Sequence, residues 1–306
     1  MARAYEEIAV PVQGGSLAVL RWPGDGPVVL AAHGITANAL SWSLVAEHLD
    51  GACSLVAPDL RGRAGSTAVP GPYGLATHAA DLVAVLDALE VGEVTIVGHS
   101  MGAFVAAVAA VRYPERVREL VLVDGGVGFP APPGADLDTV LQAVIGPAMQ
   151  RLQMTFPSLE AYLDFWRPHP ALRGDWSPEL EEYLARDLIG QAPTLRSSCA
   201  LDAVRTDGGE VLRGEEALSA VHRMRAPATL LWAERGLLDQ PQGLYDDQRL
   251  AQAALPGSLR VVAVPDVNHY SVLLSARGAA VVAEHVRAAA GTAAGASRST
   301  RSAAGS

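Results

Sequence analysis

The pentapeptide Gly98-His99-Ser100-Met101-Gly102 places a serine where chemistry at a hydroxyl can be organised. A β-branched run, Thr95-Ile96-Val97, precedes it and an alanine-rich stretch, 103–112, follows, so the sequence predicts a strand, a sharp turn and a helix with Ser100 at the turn. Glycines two residues either side leave no side chains where such a turn is crowded, and the strained turn lifts the hydroxyl toward a substrate and a base. A serine hydroxyl is a weak nucleophile by itself. It needs a base within hydrogen-bond reach and an acid that orients that base. His269 is the expected base, because Pro265-Asp266-Val267-Asn268-His269-Tyr270 lies between the last strand-like run and the last helix-like run. His99 is expected to pack away from the nucleophile. His48, His78, His222 and His285 fall in helical patterns and read as surface residues, and His169, between two prolines, reads as a solvated loop residue.

A tetrahedral intermediate needs two donors aimed at its oxyanion. The backbone N–H of Met101, at the start of the helix, is one expected donor. Ile35 in His33-Gly34-Ile35 is the other, since that loop follows the strand-like run 28–32 and Gly34 permits a close approach; His33 itself reads as a loop anchor.

Groups so far apart in sequence must be gathered by a sheet. Short apolar runs at 28–32, 54–57, 94–97, 120–123, 229–233 and 259–264 alternate with helical patterns at 39–48, 77–89, 102–113, 246–254 and 276–290, Thr77 and Ser275 being the expected N-caps of two of them. This order implies a parallel sheet covered on both faces. Residues 5–12 and 16–21, around Gln13-Gly14-Gly15, predict an antiparallel hairpin at its edge. The alternation stops between 123 and 229. That gap holds Phe156, Tyr162, Phe165, Trp166, Trp176 and Tyr183 and is expected to form a helical cap over 129–222, inserted into a core of 1–128 and 223–290, with Trp166 and Tyr162 facing the substrate. Residues 291–306 contain only Gly, Ala, Ser, Thr and Arg, a composition that predicts a disordered tail.

Composition narrows the partners. Among 306 residues, 33 acidic side chains against 23 basic ones give a net charge of -10, which argues against nucleic acid. No run of about 18 uncharged apolar residues is visible and the first residues carry acids, so the expectation is a cytoplasmic protein without membrane association, a monomer or homodimer acting on a small molecule. Cys53 and Cys199 lack metal-type spacing, and Cys53 reads as a core residue.

The His33-Gly34 loop, the Pro58-Asp59-Leu60-Arg61-Gly62-Arg63 stretch with Gly65-Ser66, the elbow at Ser100, Tyr113-Pro114-Glu115-Arg116-Val117 and the late His269 occur in an order that resembles the α/β-hydrolase superfamily over about residues 5–290. The resemblance implies an α/β-hydrolase fold, with a mostly parallel central sheet, helices on both faces and an inserted helical cap. It also implies a serine hydrolase, an esterase or lactonase, that cleaves an ester, thioester or lactone of a small hydrophobic substrate through an acyl-enzyme, with no metal or organic cofactor. Asp59, Arg61 and Ser66 are read as a structural loop. Members usually carry the acid four residues past the strand 229–232, where this chain has Gly236. Two aspartates can replace it. Asp124 ends the strand 120–123, as in a minority of the superfamily, and is favoured; Asp239 is the alternative if Gly236 lets its loop bulge inward, and Glu234 is a poorer third. Two rival readings stay open, a carbon–carbon bond hydrolase acting on a diketone and a small-molecule receptor that hydrolyses slowly.

Overall fold

The computed structural model describes residues 4–128, 134 and 136–302. The N-terminal hairpin pairs β1 (Glu6–Val12) with β2 (Gly15–Trp22) around Gly14, whose φ of 91° suits glycine. Then come β3 (Val28–Ala32), α1 (Ser43–Leu49), β4 (Ser54–Pro58), α2 (Leu75–Ala88), β5 (Val94–His99), α3 (Met101–Arg112) and β6 (Val117–Val123). An insertion follows: α4 (Leu137–Arg151), β7 (Thr155–Phe156), α5 (Leu159–Trp166), α6 (Pro178–Ala185), β8 (Leu188–Ile189), β9 (Leu195–Ser197), α7 (Leu201–Arg213) and α8 (Glu215–Arg223). The chain closes with β10 (Ala228–Arg235), α9 (Asp247–Gln252), β11 (Leu259–Asn268), α10 (Ser271–Leu274) and α11 (Ala276–Ser302).

Eight strands form one sheet in the order β1-β2-β4-β3-β5-β6-β10-β11, antiparallel up to β4 and parallel beyond it. Its inner strands are apolar on both sides because helices cover both faces. Val29, Ala31, Val97, Val121 and Leu231 point into one layer with Val45 and Leu49 of α1 and Val282 and Val286 of α11. Their neighbours Leu30, Ile96, Leu120, Leu122 and Leu230 point into the other, with Leu82 of α2 and Phe104 and Val108 of α3. Each such aliphatic side chain contributes about 1.5–3 kcal/mol by leaving water. The helical pattern 77–89 begins earlier than expected, since Gly74 and not Thr77 precedes the first turn of α2.

Between β6 and β10 the described residues add no strand to the central sheet. Besides helices it forms a small antiparallel sheet, β7-β9-β8, of two- and three-residue strands, which the helical expectation omits. Strands so short carry no readable period. α8, inside the stretch expected as cap, instead buries Ala217, Ala220 and Val221 in the layer of α3. α11 continues past Gly291 to Ser302, where a disordered tail is expected. Alanine favours a helical backbone there. Residues 129–133 and 135, where the cap is expected to begin, and 303–306 of the tail lie outside the described residues. Among the described residues no helix is long and apolar enough to cross a membrane.

Candidate active site

Ser100 sits between β5 and α3 with φ 55° and ψ -121°. A Cβ on Gly98 would stand 2.2 Å from the Gly102 carbonyl oxygen and one on Gly102 would stand 2.0 Å from that of Ala32, so neither position has room for a side chain. The parallel order brings three strand ends to the same edge. Asp124 follows β6, His269 follows β11 and Ser100 follows β5. His269 Nε2 lies 3.1 Å from Ser100 Oγ, and its Nδ1 lies 2.6 Å from Asp124 Oδ2. Asp124 is fully buried, and its Oδ1 accepts the Ala233 N–H at 3.0 Å. A carboxylate can only accept here. The imidazole proton therefore sits on Nδ1, and Nε2 keeps the lone pair that faces the serine hydroxyl.

Asp239 is held elsewhere. The loop after β10 closes on itself, Gly236 N–H donating to the Gln240 carbonyl and Asp239 N–H to that of Gly236, so it makes no inward bulge. The Asp239 carboxylate pairs with Arg235 at 2.7 Å and accepts from Asn268 Nδ2 at 3.1 Å, and the Arg235 guanidinium holds its pKa below the ordinary value. Glu234 is exposed.

The two expected oxyanion donors are backbone groups. Met101 opens α3, and the first N–H groups of a helix have no intrahelical acceptor. Leu60 N–H donates to His33 Nε2 at 2.9 Å, which leaves the His33 proton on Nδ1, 2.7 Å from the Gly34 carbonyl oxygen. Ala37 N–H donates to the same oxygen at 3.1 Å. In a trans peptide the N–H points opposite the carbonyl, so these bonds turn the Ile35 N–H out of the loop. Burial keeps His33 neutral, with its pKa lowered to about 3. The next two carbonyls are held from different sides. Arg63 Nε donates to Ile35 O at 3.0 Å, and Arg151 Nη2, from α4 of the insertion, donates to Thr36 O at 2.7 Å.

Ser100 and His269 stand between two cavities. The larger, about 310 Å³, is walled by Leu141 and Ile145 of α4, Gly208 and Val211 of α7, Phe104 of α3 and Leu244, with Arg249 at its edge. The smaller, about 40 Å³, lies between Gly34, Ser41, His99 and Tyr270.

The aromatic expectation needs correction. Tyr162 and Trp166 line neither cavity beside Ser100. Tyr162 is fully buried and donates to Asp187 Oδ2 at 2.6 Å; Arg151 Nε donates to the same carboxylate at 3.0 Å and lies over the Trp166 ring, 5.4 Å from its centroid. Ser197 and Ser198 complete the shell of Asp187 at 2.9 and 3.0 Å. These rings enclose a buried ion pair, whose charges require such partners once removed from water. His78 and His169 are likewise buried instead of solvated, His78 against Asp207 at 2.9 Å and His169 between Trp166 and Tyr270. Asp59, Arg61 and Ser66 do serve the loop: Asp59 accepts from Ala39 and Gly65 N–H, Arg61 pairs with Asp81 through two bonds of 2.6 Å, and Ser66 Oγ accepts from Ala18 N–H.

Sequence reasoning missed Arg151, Asp187, Asp207 and Gly208. Asp207 of α7 meets Arg63 at 2.6 Å and His78, which overcome its burial and lower its pKa to about 2, and thereby pin the wall of the large cavity to the core. An acid at 207 beside Gly208-Gly209 in a helical stretch is the one local signal, and it does not name its partners.

A family model for the alpha/beta hydrolase fold matches residues 27–276. The 2-(acetamidomethylene)succinate hydrolase of Mesorhizobium japonicum is 26% identical over 253 residues, 82% of this chain and 84% of that protein. An uncharacterized protein of Mycobacterium tuberculosis is 38% identical over 106 residues, 35% of this chain and 31% of that protein, so the match spans about a third of the relative. In structure, the thioesterase domain from the curacin biosynthetic pathway superposes with a TM-score of 0.71 at 23% identity, over 92% of this chain and 99% of that domain, a likeness of fold.

Proposed function

The chain belongs to the α/β-hydrolase family, and from that premise we propose that it is a serine hydrolase cleaving an ester, thioester or lactone of an apolar substrate through an acyl-enzyme. The observation that supports this most directly is the file Ser100–His269–Asp124, at 3.1 and 2.6 Å, opening on an apolar cavity of about 310 Å³. Ser100 Oγ bonds to the scissile carbonyl carbon while its proton passes to His269 Nε2, and the carbonyl electron pair moves onto oxygen facing the N–H groups of Ile35 and Met101. Collapse of that intermediate breaks the bond to the leaving alcohol or thiol, which takes the proton back from Nε2. Water repeats the cycle on the acyl-enzyme, giving its proton to His269 and its oxygen to the acid. Asp124 holds the imidazole in the tautomer both steps need and stabilises it when charged.

The test is labelling with a fluorophosphonate probe, followed by hydrolysis of p-nitrophenyl esters of increasing acyl length and of lactones. The wild type is expected to label at one serine and turn over esters. Ser100→Ala should remove the label and lower turnover about a millionfold while leaving the fold intact. Residual activity within tenfold of wild type overturns the nucleophile.

A further inference from the structure

The small cavity beside Ser100 contains two buried polar atoms that the mechanism does not use. Ser41 Oγ and His99 Nδ1, in residues 3% and 7% exposed, have no hydrogen-bond partner among the described residues. His99 Nε2 lies 2.9 Å from the carbonyl oxygen of His269, which can only accept, so that nitrogen carries the proton and Nδ1 presents a bare lone pair. The ring stays neutral, since burial and the neighbouring His269 both lower its pKa. The space beside Gly34 joins this lone pair to the nucleophile: a Cβ placed there would stand 3.5 Å from His99 Nδ1 and 3.7 Å from Ser100 Oγ. A buried acceptor without a partner is costly, and a cavity of about 40 Å³ exceeds the roughly 10–15 Å³ that one water needs.

We infer that this cavity is a subsite for a short group bearing an O–H or N–H donor, separated from the scissile carbonyl by one to three atoms, which gives its hydrogen to His99 Nδ1 and meets the Ser41 hydroxyl. The substrate is thus two-sided, with a long apolar arm in the large cavity and a compact hydroxyl or amide on the other side. A carboxylate has no hydrogen to give, and the lone pair of His99 opposes it. This inference rests on the proposed nucleophile, because the subsite is defined by its distance from Ser100.

Two substrate pairs test it, each differing by a hydroxyl in place of a methyl: p-nitrophenyl glycolate against p-nitrophenyl propionate for a short acyl side, and 2-hydroxyethyl octanoate against propyl octanoate for a short leaving side. The readout is the ratio of kcat/KM within a pair, compared between wild type, His99→Leu and Ser41→Ala. Intrinsic reactivity and any general damage to His269 cancel in that comparison. In at least one pair the preference for the hydroxyl should fall about tenfold in His99→Leu and also fall in Ser41→Ala, which leaves the bond from His99 to the His269 carbonyl untouched. Ratios within twofold of wild type in both variants and both pairs overturn the subsite and mean that the two groups hold water or only pack. A wild type that hydrolyses none of the four esters and takes no fluorophosphonate label overturns the nucleophile reading, and this inference with it.

Discussion

Replacing Asp124 with asparagine should reverse the tautomer of His269, and the surrounding hydrogen bonds fix the direction of the effect. Ala233 N–H donates to Oδ1 at 3.0 Å, so the amide oxygen must take that place and the amide NH2 must take the place of Oδ2, 2.6 Å from His269 Nδ1. Two donors cannot share that contact. The imidazole proton moves to Nε2, which then faces Ser100 Oγ at 3.1 Å as a donor and cannot accept the serine proton. The flipped amide, which would keep the productive tautomer, is disfavoured because it sets NH2 against Ala233 N–H in a fully buried site and leaves two donors unmet, at about 1–3 kcal/mol each. Loss of the productive tautomer in a serine triad costs about ten-thousandfold in kcat, or roughly 5.4 kcal/mol at 1.36 kcal/mol per tenfold. Steady-state hydrolysis of a p-nitrophenyl ester, with thermal unfolding to verify the fold, measures it. Asp239→Asn, which touches Arg235 and Asn268, should stay within about tenfold of wild type. A folded Asp124→Asn protein that keeps more than a tenth of its activity, or a larger loss at Asp239, would refute the reasoning.

Arg151→Gln removes the bond from the insertion to Thr36 O and leaves Asp187 short of a partner; kcat is expected to fall at least tenfold with KM changing less, and an unchanged kcat in a folded variant argues against any grip on the loop that carries the proposed Ile35 donor. Tyr162→Phe deletes a buried hydroxyl bonded to Asp187 and should lower the unfolding free energy by about 1–3 kcal/mol in urea titration without altering acyl-chain preference. Gly208→Ala puts a Cβ 2.6 Å from Leu141 Cδ2 and 3.2 Å from Ile35 Cδ1, both flexible side-chain ends, so the fold should persist while kcat/KM falls more for octanoyl than for acetyl esters. His33 is neutral in the folded protein down to pH about 3, whereas the unfolded chain takes its proton near 6.5. Stability from this residue is therefore complete above pH 6.5 and is lost as pH falls toward 3, at about 1.4 kcal/mol per pH unit, and His33→Asn should flatten that slope in urea titrations between pH 4 and 7.

The order of strands and helices was legible in the chain because each inner strand is a short run buried on both faces, with Val28–Ala32 matching its predicted span residue for residue. The elbow was legible for a stronger reason. The turn at Ser100 admits only glycine at 98 and 102, so geometry is written directly into residue type. His269 could be placed by its position after the last strand. The choice between Asp124 and Asp239 could not, since both lie near strand ends and differ only in what surrounds them. Packing separates them: Ala233 N–H and the imidazole converge on Asp124, while a tight turn at Gly236 keeps Asp239 on Arg235. The insertion was the least legible part, because Tyr162 and Trp166 carry the same composition whether they face a substrate or enclose a buried Arg151–Asp187 pair. Sequence supplies the side chains and their local spacing, but which of them meet across 36 residues or 145 depends on the free energy of packing the whole chain.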